Sequence, residues 1–208
     1  MLRKATRIPK RALQPRKTPR QERSQETVTA ILTAAARILE SRGLEEFNTN
    51  AIADLAGVSI GTVYQYFPDK NAIIAALIRD WETKLVEILT SAFADSRGHS
   101  LAVGIGSLTD AMLAHHHQRP HLNRILEVEE RRLTAGHPPA PQDEQICGLL
   151  ADFLDAHHRD GSVEAAEDLM VIVQAMTDAA LERELKPTAG ARRRIQRAML
   201  GYLAFQHN

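Results

Sequence analysis

The chain has 208 residues with a hydrophobic content of 44%, enough for one large or two small self-sufficient domains, and no run nears the roughly eighteen apolar residues of a membrane span. Its 26 basic and 26 acidic residues cancel, so total charge neither points to nor excludes a nucleic-acid partner. The lone cysteine, Cys147, excludes an internal disulfide and suits a reducing cytoplasm.

Residues 1–22 read as a basic, disordered arm. Through position 23 there are nine bases (Arg3, Lys4, Arg7, Lys10, Arg11, Arg16, Lys17, Arg20, Arg23) against one acid, Glu22, a surplus of eight that residues 24–208 offset. Prolines at 9, 15 and 19 and the lack of apolar periodicity argue against a packed element there. Such an arm follows phosphate, enters a minor groove, solubilises the chain, or marks a misassigned start. No apolar core of roughly 7–15 residues follows the charges, so an export signal is not expected.

Ser24 with Glu26 is expected to open the first helix, whose apolar residues Val28, Ile31, Leu32, Ala35, Ile38 and Leu39 fall at helical spacing until Gly43 ends it. The stretch 48–70, NTNAIADLAGVSIGTVYQYFPDK, then reads as a short helix, a tight turn and a second short helix. Ile52, Ala53, Leu55 and Ala56 give the first an apolar face. Gly57 supplies a left-handed turn, and Val58 packs between the two helices. Ser59 accepts from the free amides of the next helix, Val63 and Phe67 pin that helix, and Pro68 stops it. Its exposed face is expected to carry Thr62, Tyr64, Gln65 and Tyr66, a form suited to reading a DNA major groove. Asp69 opens another helix with Lys70 in its first turn, where a cation needs an anionic partner.

The run from Arg23 to Leu77 resembles the N-terminal domain of the tetracycline-repressor (TetR) family of bacterial transcriptional regulators. The likeness rests on AGVSIGTVYQYFPDKNAI, the preceding NTNAIADL and the Gly43 break, about a quarter of the chain. It implies an all-α fold: a three-helix helix-turn-helix domain over 23–68, then a helical ligand-binding and dimerisation domain over 69–208. It also implies that Asn48 caps the first motif helix, Thr49 touches phosphate beside it, and Asn50 stands where the family often places a base-reading side chain. Asparagine favours adenine there. Ser59, Ile60 and Gly61 head the second helix of this DNA-binding set. Ile60, a departure from the usual lysine or arginine, meets a thymine methyl or lies over sugar. By the same likeness Thr62, Tyr66 and Lys70 match phosphate contacts, and Tyr64 and Gln65 match groove-facing positions.

Amphipathic helices follow. Stripes run through Ile74, Leu77, Ile78, Trp81, Leu85 and Ile88, then Leu101, Ile105, Leu108 and Met112, then Leu122, Ile125, Leu126 and Leu133, then Ile146, Leu149, Leu150 and Phe153. Breaks fall at Ser96–Gly98, Pro120, Gly136–Pro141 and Asp160–Gly161. Leu169–Leu181 is apolar on two faces, with Leu169, Ile172, Val173, Met176 and Ala180 on one and Val171 and Ala175 on another. That pattern asks for a core on one side and another subunit on the other. With Ala191–Tyr202 it matches the family's paired dimer helices, implying a homodimer on a roughly palindromic double-stranded DNA operator.

His115, His116, Glu129 and His157 interrupt the inward stripes and are the candidate contacts for a small-molecule effector. Gly104 and Gly106 leave room for it or bend their helix. Cys147, beside Ile146 and Leu149, reads as a small buried hydrophobe rather than a redox sensor. No metal or other cofactor is expected: His115, His116 and His117 point in different directions on a helix, and Pro120 separates His117 from His121. Two other classes stay open, an all-helical enzyme using histidines and Glu129, and a helical interaction protein without DNA binding. No GxSxG, HExxH or phosphate-cradling glycine loop supports the enzyme.

Overall fold

The computed structural model describes residues 22–135, 141–159, 161–183 and 188–205, and the basic arm up to residue 21 lies outside them. Among the described residues the elements are all helices: α1 (Glu22–Arg42), α2 (Thr49–Ala56), α3 (Ile60–Tyr66), α4 (Lys70–Asp95), α5 (Leu101–Gln118), α6 (Pro120–Thr134), α7 (Pro141–Ala156), α8 (Val163–Arg183) and α9 (Ala189–Phe205). None is long and apolar enough to cross a membrane. α1 starts at Glu22, two residues before the Ser24–Glu26 signal, a shift within the usual fraying of helix ends.

Two compact units form. The described residues of Met1–Trp81 pack with those of His121–Pro138, and the described residues of Glu82–Pro120 pack with those of Pro139–Asn208. α4 thus gives its first half to one unit and its second half to the other.

In the first unit, Ile31, Ala35, Ile38 and Leu39 of α1 meet Phe47, Ile52, Val63 and Phe67, with Ile73, Ile74 and Leu77 of α4. Leu122, Leu126 and Leu133 of α6 complete this core, so the helix predicted to sit among the C-terminal elements packs with the N-terminal ones. Two polar ties join it there. The Nδ1–H of His121 donates to the Glu40 carbonyl at the end of α1 (2.7 Å), and Arg132 Nη2 donates to Asn71 Oδ1 on α4 (2.8 Å).

The second unit is built on Leu85, Leu89 and Phe93 of α4, Ile105, Leu108 and Met112 of α5, Leu150 and Phe153 of α7, Leu169 and Val173 of α8, and Ile195 and Met199 of α9. The expected space at the α5 glycines is already taken. A Cβ on Gly104 would lie 2.2 Å from Phe153 Cζ, so that glycine admits a phenyl ring. A Cβ on Gly106 would sit 3.0 Å from Gln196 Nε2, against α9. Arg192 on α9 grips Asp110 on α5 through two parallel bonds (Nε–Oδ1 2.5 Å, Nη2–Oδ2 2.7 Å), and Tyr202 donates to Asp168 of α8 (2.6 Å).

Candidate nucleic-acid interface

Three side-chain caps set the α2–α3 hook. Asn48 Oδ1 accepts from the Ala51 amide (2.9 Å), Ser59 Oγ from the Thr62 amide (3.0 Å) and Asp69 Oδ1 from the Ala72 amide (2.9 Å). Gly57, at φ +69°, closes α2 in the left-handed conformation, and the Val58 amide returns to the Ala53 carbonyl (3.1 Å). Gly43 ends α1 the same way at φ +72°. Beneath the hook, Val63 and Phe67 are fully buried, so α3 has one permitted orientation on its core.

The orientation sorts the expected contacts. Asn48, Asn50, Ser59, Ile60, Gly61, Tyr64, Gln65 and Lys70 are exposed, and Thr49 and Thr62 half-exposed. Ile60, Gly61, Tyr64 and Gln65 follow the i, i+1, i+4, i+5 rhythm of one α3 face. Tyr64 is 44% exposed, and its hydroxyl lies 3.2 Å from Thr49 Oγ1, so a bond crosses from α3 to the first turn of α2. Ser59 Oγ likewise meets Thr62 Oγ1 (2.8 Å).

Tyr66 does not belong to this face. Only 6% exposed, it joins the first unit's core, and its expected outward position is corrected. The cause is legible afterwards, since Tyr66 stands three residues after Val63 and one before Phe67, on the helix's inward side.

Lys70 heads α4 as an exposed cation in its first turn, where the helix dipole disfavours it. The residue after it is bound from α6. Arg132 reaches Asn71 while its Nε and Nη2 also hold Glu129 Oε2 (2.9 and 2.5 Å). Glu129 is buried in that pair, so its carboxylate has a partner before any effector arrives. The Arg132–Asn71 tie spans 61 residues and has no short-range sequence signature.

The other candidate effector residues separate. His115 and His116 are buried on α5, with His116 Nδ1 3.4 Å from Asp178 on α8. Burial, then the neighbouring His116 and Lys84, hold the His115 imidazole down at about 4, so it is neutral near pH 7. His157 lines a cavity in the second unit. Cys147 is half-buried, and burial first, then Glu167 and Asp143, push its thiol up, which disfavours the reactive thiolate.

The sequence profile for bacterial regulatory proteins of the tetR family matches residues 31–77, from the middle of α1 to the first turns of α4. Over that segment the chain is similar to the tetR family. Its fold agrees over most of its length. A TetR-family transcriptional regulator from Streptomyces coelicolor superposes at a TM-score of 0.67, with 19% identity, over 86% of this chain and 98% of that one. A TetR transcription regulator from Haloarcula marismortui does so at 0.65, with 18% identity, over 86% and 97%. The nucleoid occlusion factor SlmA of Pasteurella multocida is 29% identical over 126 residues, 60% of this chain and 58% of that protein. The Haemophilus influenzae SlmA is 29% identical over 127 residues, 60% and 53%. The chain therefore spans a little over half the length of these curated relatives.

Proposed function

We propose that this chain is a DNA-binding transcriptional regulator of the tetR family, a ligand-responsive repressor that grips a roughly palindromic operator as a homodimer. The observation that carries the reading is the α2–α3 hook. Caps at Asn48, Ser59 and Asp69 and a buried Val63–Phe67 seat support it, with Asn50, Ile60, Tyr64, Gln65 and Lys70 exposed around them. Thr49, Thr62 and Lys70 address phosphate, Tyr64 and Gln65 face the groove, and the amides of Asn50 and Gln65 match adenine's paired groups. The polar bridge between Tyr64 and Thr49 lets two helices act on one stretch of backbone.

Dimerisation falls to α8 and α9, the Leu169–Leu181 and Ala191–Tyr202 segments. Leu169, Val173 and Ala180 face the unit's own core, while Val171 is 65% exposed with Ala175 exposed beside it. That apolar strip is what a second copy covers. Two-fold symmetry then sets two hooks about one DNA turn apart.

Footprinting on the DNA flanking the coding region tests the reading, with Lys70→Ala and Gln65→Ala as partners. A protected, two-fold-symmetric site that both variants weaken while staying folded supports it. Unchanged affinity in both overturns it. The SlmA relatives favour a second reading, in which the same hook serves nucleoid occlusion. Bound sites whose neighbouring transcripts do not respond to deletion of the gene would favour that one.

A further inference from the structure

The second unit contains a cavity of about 430 Å³ between the end of α4, the 96–99 turn and α7. It falls within the range of small-ligand sites.

Its apolar wall is fixed from behind. Phe93 and Phe153 stack at 4.7 Å with a 21° tilt, and Phe153 is seated in the notch at Gly104. His157 lies over Phe153 at 4.4 Å, with Nδ1 2.8 Å from the Phe153 carbonyl and Nε2 3.1 Å from the His99 carbonyl. Both ring nitrogens face backbone oxygens, so an N–H of His157 donates to one of these carbonyls and ties the ring to the backbone around the turn and α7. Gly98, at φ +77°, lets that turn curl around the cavity mouth.

What remains for a ligand is a pair of opposite charges. Arg97 and Asp152 both line the cavity, both are exposed, and neither side chain is engaged by another described residue. A guanidinium offers a carboxylate two parallel bonds, and a carboxylate accepts from an ammonium. We infer that this cavity binds a zwitterion with an apolar side chain, an α-amino acid whose carboxylate meets Arg97, whose ammonium meets Asp152 and whose side chain lies against Phe93, Leu149 and Phe153. A ligand with one charge leaves the other rim group without a partner, which is how the site discriminates. The inference deepens the ligand-responsive reading above and rests on it only for what binding does to DNA affinity.

Calorimetry on the full chain without DNA tests it, using L-phenylalanine, 3-phenylpropionate, which lacks the ammonium, and phenethylamine, which lacks the carboxylate. L-Phenylalanine is expected to bind at least about tenfold more tightly than either analogue, since each analogue forgoes one charge-assisted contact. Arg97→Ala should bring L-phenylalanine down to the level of phenethylamine, and Asp152→Asn to that of 3-phenylpropionate. Ala156→Trp, which fills the mouth from an exposed position, should abolish binding at an unchanged melting temperature. Equal binding of all three probes, or no L-phenylalanine binding at millimolar concentration, overturns the assignment. Because no DNA is present, amino-acid binding by a chain that ignores every operator leaves the cavity assignment standing and sinks only the regulatory reading.

Discussion

The α2–α3 hook and the α8–α9 pair both turn side chains outward, on different foundations. In the hook, seven- and eight-residue helices too short to stand alone are held by caps three residues away and by two buried anchors. In the pair, helices of 21 and 17 residues are held by long stripes and by the Tyr202–Asp168 bond. Short helices gain little from propensity and need tertiary packing, whereas long ones spread their support over many contacts. The hook should therefore fail at single positions, and the pair should tolerate change on its outer face.

The sharpest test sets Phe67→Ala against Val171→Asp. The first empties a fully buried site beneath α3 and should cost about 3–5 kcal/mol, read as a drop in the urea midpoint. The second alters a 65% exposed position and should leave the unfolding midpoint of the subunit within about 0.5 kcal/mol, while sedimentation detects dissociation of the proposed dimer. Equal stability losses in the two variants would erase the contrast.

Gly104→Ala probes whether α5 tolerates crowding as well as α8 tolerates exposure. Its Cβ meets the stacked Phe153 ring, so a loss of about 1–3 kcal/mol is expected, with partial recovery on adding Phe153→Leu. If Gly104→Ala melts like the parent, the ring is freer than its stack implies.

His115 makes the second unit sensitive to pH in one direction. Its folded-state value of about 4 lies below the ordinary 6.5, so folding favours the neutral form. That contribution is fully present above pH 6.5 and is lost as pH falls toward 4, because the unfolded chain takes up the proton first. His115→Gln should flatten the decline in unfolding midpoint between pH 7 and pH 4.5, and an unaltered slope would remove His115 as its source. The smallest effects belong to the caps. Asn48→Ala and Ser59→Ala should each cost about 1 kcal/mol, measured by thermal unfolding.

Much of the hook was legible because its signals are local. Asn48, Ser59 and Asp69 each cap an amide three residues on, and Gly57 marks a conformation that other residues resist. Tyr66 shows the limit. An aromatic beside Tyr64 and Gln65 reads as part of a recognition face until the phase set by Val63 and Phe67 is applied. Farther along, the sequence announced an amphipathic α6 but not its companions. The His121–Glu40 tie spans 81 residues and the Arg132–Asn71 tie 61, distances over which no periodic pattern carries information. The cavity was hidden for the same reason, since Phe93, Arg97 and Asp152 come from separate elements and, of its lining, His157 was the one residue read as a ligand contact.

Sequence by itself determined where helices start and stop and that all described elements are helical, because caps, left-handed glycines and apolar periodicity act within a few residues. Only tertiary structure decided that α6 belongs with the N-terminal helices, that the glycine notch at 104 holds a phenyl ring rather than a ligand, and that Arg97 and Asp152 share a cavity. Those outcomes depend on which apolar faces meet in space, and burial is settled jointly by the whole chain.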